Sequence, residues 1–233
     1  MDISNNPNEI ALLVSLTFFI AGIVKGVIGI GLPTTAITIM TFFVSPLTAL
    51  GLNLVPMTVS NIWQFGRADN PKELIKNYKY FAFFLSLCLL ITSFYAVQFG
   101  DDFVRLIFAV AVLLFVCLQV FGFNLKMNDK YDNFWQSLLG VFGGLIGGVA
   151  SIWAVPITMY LLMKNVTPKQ FVDVSGFLIF IGCIPVSFGY IATGVFLPGM
   201  FIYGALGSVI AVIGFQIGEK IRNKLNAKTF KNA

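Results

Sequence analysis

The sequence predicts an all-α integral membrane protein built from two related halves in inverted orientation. Three observations lead to this prediction: an apolar composition, apolar runs long enough to cross a bilayer, and a glycine and proline pattern that occurs twice. Hydrophobic residues make up 58% of the 233 residues, and charged residues only 11%. Because a soluble domain has about a quarter of its residues charged, the composition argues against soluble enzymes and nucleic-acid-binding modules.

Apolar runs divide the chain into about seven to nine membrane segments, since a spanning helix needs about 20 apolar residues. The runs that meet this length are 47–66, 79–99, 103–121, 135–154, 168–193 and 199–217. The apolar run over 8–44 is too long for one span.

Glycine and proline predict where the long run breaks. Gly29-Ile30-Gly31-Leu32-Pro33 should end a helix over 8–29 and begin a short helix over 33–44, because proline fits the first turn of a helix but cannot continue one. A similar interruption, from Ser151 to Pro156, precedes a second short apolar helix that ends at Met163. Neither short helix is long enough to span a membrane alone.

The two breaks belong to an internal repeat. A shift of about 122 residues places Gly22 on Gly144, Gly26 on Gly148, Gly29 on Ser151, Pro33 near Pro156, and Ser45-Pro46 on Thr167-Pro168. Gly-x-x-x-Gly spacing alone is a weak signal that also marks close helix packing. The ordered recurrence of the whole pattern favours two related halves.

The basic residues set the expected orientation. The predicted organisation is a first repeat over 8–121, a cytoplasmic linker over 122–134, a second repeat over 135–217 and a basic cytoplasmic tail over 218–233. With the 67–79 loop inside, every basic residue is cytoplasmic except Arg105, outside, and Lys25, within a span, as the positive-inside rule anticipates. The acidic N-terminus is then outside, and the two repeats are inverted.

Inverted repeats with broken helices indicate a transporter whose site lies between two half-helix N-termini near the membrane midplane. Helix N-termini attract anions, and Lys25 lies one turn before the first break. A lysine that faces lipid is costly, so an anionic ligand would explain its position. The alternative is that Lys25 extends to the cytoplasmic surface.

The candidate substrate-binding residues are polar groups within apolar segments together with the residues of both breaks. They are Lys25, Gly29, Gly31, Pro33, Thr34, Asn53, Asn61, Gln64, Ser151, Trp153, Pro156 and Thr158. Asn53, Ser60, Asn61 and Gln64 fall near one helical face. Interhelical hydrogen bonding would select the same polar residues, and Trp153 could equally serve packing or the membrane interface.

Asp173 is the acidic residue that falls within an otherwise apolar span. A carboxylate in that position could carry a proton or act as a counter-ion for Lys25. The alternative is a place at the cytoplasmic rim, because Asp173 lies close to the start of its segment.

The sequence gives no indication of a metal site or of a disulfide framework. The chain has no histidine, and its three cysteines, Cys88, Cys117 and Cys183, each lie within an apolar run. We therefore expect no metal and no cofactor. An intramembrane enzyme would also lack the acid and base residues it needs.

The pattern resembles the sulfite exporter TauE/SafE family of membrane permeases over nearly the whole chain. The residues that carry the resemblance are Ala21-Gly22, Lys25-Gly26, Gly29 to Pro33, Ser45 to Leu50 and Asn53, with a weaker echo from Gly140 to Pro168. The resemblance implies transport of small anions, often sulfur-containing ones such as sulfite, sulfonates or sulfoacetate. One departure is that the helix after Gln98-Phe99-Gly100 has no counterpart after Gln216-Ile217-Gly218, so a final helix is missing or lies beyond this chain.

The expected function is a secondary transporter for a small, sulfur-containing anion in the cell (inner or plasma) membrane. An anion channel that uses the same half-helix site is the alternative. The expected partners are the anion and membrane lipid, with no nucleic acid, and the sequence is compatible with a homo-oligomer.

Overall fold

The computed structural model describes residues 7–121 and 127–224, and all its regular structure is helical. Parts of the predicted N-terminus, linker and tail therefore lie outside the described residues. The described α-helices are α1 Pro7–Ile28, α2 Leu32–Met40, α3 Pro46–Gly66, α4 Pro71–Asn77, α5 Lys79–Ser93, α6 Ala96–Phe121, α7 Asp132–Ala150, α8 Ala154–Met163, α9 Pro168–Ala192 and α10 Met200–Arg222. The all-α prediction is confirmed.

Some of the predicted membrane spans are long and apolar enough in the structure to cross a membrane. Within the described residues, three helices are long and apolar enough to cross a membrane, namely α1, α9 and α10. A fourth span results if α4 and α5, which meet at 76°, are counted together. Helices α3 and α7 carry amide side chains or many glycines, which lower their hydropathy. The seven to nine segments expected from the sequence stay a prediction.

Both breaks occur where glycine and proline predicted them. Helix α1 ends at Ile28 and α2 begins at Leu32, and between them Gly29 and Gly31 have φ angles of 95° and 102°. An L-residue with a side chain rarely adopts such angles, so glycine permits the sharp change of direction. In the second break, Ser151 takes the left-handed conformation with φ 57°.

Some helix boundaries differ from the predicted ones. The run expected over 79–99 ends at Ser93, and the next helix begins at Ala96 instead of 103. Gly100, with a non-helical φ of 71° and ψ of 168°, interrupts α6 close to the predicted boundary between 99 and 103. The expected cytoplasmic loop over 67–79 contains the short helix α4, which the apolar pattern could not reveal.

The repeated glycines are positions of close helix packing. Helix α1 packs most extensively on α10, and α7 packs on α5. A Cβ on Gly26 would lie 2.8 Å from the Cα of Gly218 in α10, and a Cβ on Gly148 would lie 2.6 Å from the backbone nitrogen of Ser93 at the end of α5. Each half therefore packs its glycine helix on a helix of the other half.

The contacts also define the directions of the helices. Gly22 faces Ala211 and Gly26 faces Phe215, so α1 and α10 run in the same direction. The corresponding contacts of Gly144 and Gly148 with α5 make α7 and α5 parallel. Gln64, near the end of α3, contacts α9 near its start, and Gly51, near the start of α3, faces Val195 just beyond the end of α9, so α3 and α9 are antiparallel. Helices α3 and α9 correspond under the repeat, and their opposite directions are what inversion requires, but the inverted repeat stays a prediction.

Candidate functional site

Lys25 lies inside the protein, against α3. Its side chain is 1% exposed, and its Nζ donates hydrogen bonds to Asn61 Oδ1 at 2.6 Å and to Ser60 Oγ at 3.1 Å. Among the charged side chains of residues 7–121 and 127–224, it alone is buried. Lys25 therefore does not extend to the surface, and its hydrogen-bond partners are neutral.

Lys164, which is partly buried, differs from Lys25 because it has an acidic partner. Its Nζ lies 2.7 Å from Asp132 Oδ2 and 3.2 Å from the hydroxyl of Tyr160. The carboxylate offsets the positive charge there. At Lys25 the hydrogen bonds reach only an amide and a hydroxyl oxygen, so its charge is not neutralised by them.

Gln64 connects the first break to the second half of the chain. Its Nε2 donates to the carbonyl oxygen of Gly29 at 2.9 Å and to that of Val172 at 2.6 Å. Ser175 Oγ lies 3.4 Å from the same nitrogen. The side chain is buried, and its Oε1 has no hydrogen-bond partner in the described part of the chain. Gln64 thus holds the end of α1 against α9.

The polar residues of α3 share a buried face, but they do not form one cluster. Asn61 Nδ2 donates to the carbonyl oxygen of Met57 at 2.7 Å, which orients its Oδ1 towards Lys25. Asn53 is fully buried, and its Nδ2 lies 3.8 Å from Met57 Sδ. Since Asn53 is about 12 Å from Asn61 along the helix at 1.5 Å per residue, it does not belong to the group around Lys25.

Helix α2 begins at the first break without a side-chain cap. Gly31 is its N-cap residue, and Pro33 lies in its first turn, followed by Thr34. In contrast, Ser45 caps α3 by accepting a hydrogen bond from the backbone nitrogen of Thr48. Within the described residues, no side chain caps the backbone N–H groups at the start of α2, and these groups carry the partial positive charge of a helix N-terminus.

The predicted residues of the second break take part mainly in packing. Ser151 Oγ and the hydroxyl of Tyr190 are 3.3 Å apart, and Thr158 Oγ1 donates to the carbonyl oxygen of Ala154, within its own helix. Trp153 is buried, and Pro156 packs near Gly143. A Cβ on Gly147 or Gly182 would approach the Trp153 ring to 2.9 Å and 3.1 Å, respectively. The indole therefore fills the space beside the second break.

The structure does not bring the two breaks together. The first break contacts α9 at Val172, beside Gly29. The second break contacts α9 at Gly182, through Trp153, and at Tyr190, through Ser151. These two positions are about 15 Å and about 27 Å from Val172 along a helix. The reason is that α1, with 22 residues, and α7, with 19, each extend about 30 Å before they break. This placement corrects the expected meeting of the two breaks at one point, because the turns at Gly29 and Ser151 lie at different levels of α9.

Asp173 lies near the start of α9, away from Lys25. Its Oδ2 is 3.4 Å from the Nζ of Lys169, which also pairs with Asp69. Its side chain is partly buried at the edge of a cavity. The structure thus places Asp173 at the rim and not beside Lys25.

This cavity, of about 520 Å³, lies where α3 and α10 end and α9 begins. It is lined by Gln64, Arg67, Asp69, Pro168, Lys169, Val172, Asp173, Phe215, Glu219, Arg222 and Asn223. Glu219 pairs with Arg67 at 2.6 Å and with Arg222 at 3.0 Å. Arg222 also donates to the carbonyl oxygen of Gly26. From the sequence, Arg67 and Arg222 only help to set the orientation of the chain. Their spacing does not show that both pair with the carboxylate of Glu219.

Comparison with known proteins identifies the family. The family model described as "Sulfite exporter TauE/SafE" matches residues 14–233, nearly the whole chain. No curated protein and no solved structure gives a significant match. The family consists of membrane transporters and not of enzymes, which fits the apolar helices. The chain thus belongs to the sulfite exporter TauE/SafE family, as a multi-pass membrane transporter of sulfur-containing anions.

Proposed function

We propose that this chain is a secondary transporter whose anion binds beside Lys25, at the uncapped start of α2, and is exposed to the two sides of the membrane in turn. The observation that carries this proposal is the buried Lys25 ammonium, which is hydrogen-bonded only to neutral side chains. A buried charge without an opposite charge is costly. A bound anion would remove that cost.

The backbone at the first break supports the same site. Gly29 lies one turn after Lys25, and Gly29 and Gly31 turn the chain there, so that α2 begins at Leu32 directly after the turn. An ammonium group and the positive end of a helix then act on one anion, and both interactions strengthen where water is excluded. We therefore assign the substrate contacts to Lys25 and the first break, rather than to both breaks.

The 520 Å³ cavity supplies the approach to this site. Gln64 lines the cavity, and Asn61, the partner of Lys25, lies one turn before it on α3. The hydrogen bonds from Gln64 to Gly29 and Val172 close the passage between α1 and α9. An anion would pass when the two halves move apart and these bonds break, which is the step that alternating access requires.

The orientation predicted from the basic residues makes this cavity cytoplasmic. Reporter fusions in the 67–79 loop and after Gly218 should then give cytoplasmic signals, and a fusion at 101–102 should give an external one, because lysine and arginine are retained inside. An external signal from the 67–79 loop would contradict both the orientation and the inverted repeat.

Transport by proteoliposomes tests the proposed function. We expect saturable uptake of labelled sulfite and an accelerated exchange when unlabelled sulfite is present inside. A carrier shows this counterflow because the loaded site crosses more readily than the empty one. Large single-channel currents without counterflow would favour the anion channel instead.

Asp173 remains our candidate for coupling to protons, now as a rim residue of the cavity. A carboxylate that gains and loses a proton would alter its pairing with Lys169. Asp173→Asn should then abolish the response of transport to an imposed proton gradient and leave sulfite binding within about twofold, since the amide keeps the shape and cannot titrate. Asp69→Asn, which also removes a partner of Lys169, serves as the control. A full gradient response in Asp173→Asn would show that Asp173 only orders the rim.

A further inference from the structure

We infer that the anion accepted near Lys25 carries a hydrogen-bond donor beside its charge, either an acidic proton or a hydroxyl group. The inference rests on the proposed function, because it concerns the anion of that same site. It comes from Gln64 Oε1, a buried acceptor oxygen to which no described residue donates a hydrogen bond.

The orientation of the Gln64 amide is fixed by its neighbours. Its nitrogen contacts the carbonyl oxygens of Gly29 at 2.9 Å and of Val172 at 2.6 Å. Carbonyl oxygens only accept hydrogen bonds, so the amide nitrogen must face them. Reversing the amide would place three acceptor oxygens together. The side-chain oxygen therefore points away from these carbonyls and is left without a donor.

This acceptor lies close to the positive charge of the proposed site. Gln64 follows Asn61 by three residues, which is about 4.5 Å along α3, and Asn61 Oδ1 accepts the hydrogen bond from Lys25 Nζ. The carbonyl of Gly29, which Gln64 contacts, belongs to the turn closed by a hydrogen bond from Gly29 N to Lys25 O at 2.7 Å. Gln64 also lines the cavity. An anion that reaches Lys25 from the cavity thus comes beside Gln64.

A buried acceptor discriminates between anions by a simple rule. An anion that has only acceptor oxygens leaves the Gln64 oxygen unpaired and places negative charge beside it, which is unfavourable. An anion with a donor gives the Gln64 oxygen a hydrogen bond while its negative charge interacts with Lys25. Two kinds of sulfur anion have this chemistry: a protonated oxyanion such as hydrogen sulfite, and a hydroxyl-bearing sulfonate such as 2-hydroxyethanesulfonate. The sulfite dianion has no such donor.

The test uses the full chain in proteoliposomes and two competitors of labelled sulfite. 2-Hydroxyethanesulfonate and propane-1-sulfonate have the same charge and nearly the same length, and they differ in that a methyl group replaces the hydroxyl. We expect the hydroxyl compound to compete at least about fivefold more strongly, which corresponds to the lower end of the cost of leaving one buried acceptor unpaired.

A pH series separates the two sources of the donor. Sulfite binding should weaken as the pH rises through the second ionisation of sulfurous acid, because the dianion has lost its proton. Binding of 2-hydroxyethanesulfonate should not show this additional loss, since its hydroxyl does not ionise in that range. The ratio of the two binding affinities at each pH cancels any titration of the protein that affects both ligands equally.

Two variants connect the preference to Gln64. Gln64→Met removes the acceptor and should reduce the preference for the hydroxyl compound to about twofold or less, whatever its effect on absolute affinity. Ser175→Ala removes a neighbour of the amide nitrogen at 3.4 Å but keeps the acceptor, so it should retain the preference.

Equal competition by the two sulfonates in the parent protein would overturn the inference and leave the proposed function intact. A preference that persists in Gln64→Met would also overturn it. If a folded parent protein neither binds nor transports any of these anions, the proposed function fails, and the inference fails with it.

Discussion

Lys25→Met should reduce anion affinity by more than about a hundredfold and change the stability of the protein little. The loss follows because removing one partner of a buried charge pair costs about 3 kcal/mol or more, and about 1.4 kcal/mol is a factor of ten in affinity. Stability should change little, because methionine removes the cost of burying an ammonium group but leaves Asn61 Oδ1 without its donor. Labelled sulfite binding and thermal unfolding in detergent measure the two effects.

Lys130→Met is the matched control for Lys25→Met, because Lys130 is an exposed lysine that does not line the cavity. It should change neither binding nor the unfolding temperature. If Lys25→Met binds sulfite as the parent does while remaining folded, Lys25 is a structural residue that hydrogen-bonds Ser60 and Asn61 and no more. A clear loss of stability in Lys25→Met would likewise contradict our view that its charge is uncompensated in the free protein.

Gly26→Ala and Gly148→Ala should each destabilise the protein by about 1–3 kcal/mol, the usual cost of overpacking. At both positions the added methyl group would meet the backbone of a facing helix, α10 for Gly26 and α5 for Gly148. Backbone cannot move aside as a flexible side chain can, so the helices must separate. The free energy of unfolding in detergent, or the unfolding temperature, is the measurement.

Gly66→Ala is the control for the two packing variants. It ends α3, has no heavy atom near its would-be Cβ, and has an ordinary φ angle. It should therefore be neutral. Because Gly26 and Gly148 correspond under the repeat, a large effect at one position and none at the other would contradict equivalent packing in the two halves.

Much of the local structure could be predicted from the sequence because the signals are local. Gly29, Gly31 and Pro33 restrict the backbone of the first break directly, and the second break follows from the repeat. Ser45-Pro46 and Thr167-Pro168 begin α3 and α9 as expected, and each Ser or Thr side chain caps its helix. These features require only neighbouring residues.

The arrangement of the site could not be predicted because it depends on how the helices pack. The repeat suggested that the breaks converge, but only the lengths of α1 and α7 relative to α9 show that they lie at different levels. Asp173 was a candidate partner for Lys25 because both are charged residues in apolar runs, yet it pairs with Lys169. The contact between Gln64 and Val172 joins residues far apart in the chain, and no spacing in the sequence indicates it.

The most direct test of the account is the position of a bound anion in an experimental structure of the full chain. Selenite, a heavier analogue of sulfite, can be located by its anomalous scattering. We expect the anomalous peak of selenium within hydrogen-bonding reach of Lys25 Nζ, beside Gly31 at the start of α2. We expect this peak to be absent in Lys25→Met. Selenium bound at the second break, beside Ser151 and Trp153, with no peak near Lys25, would contradict the central claim.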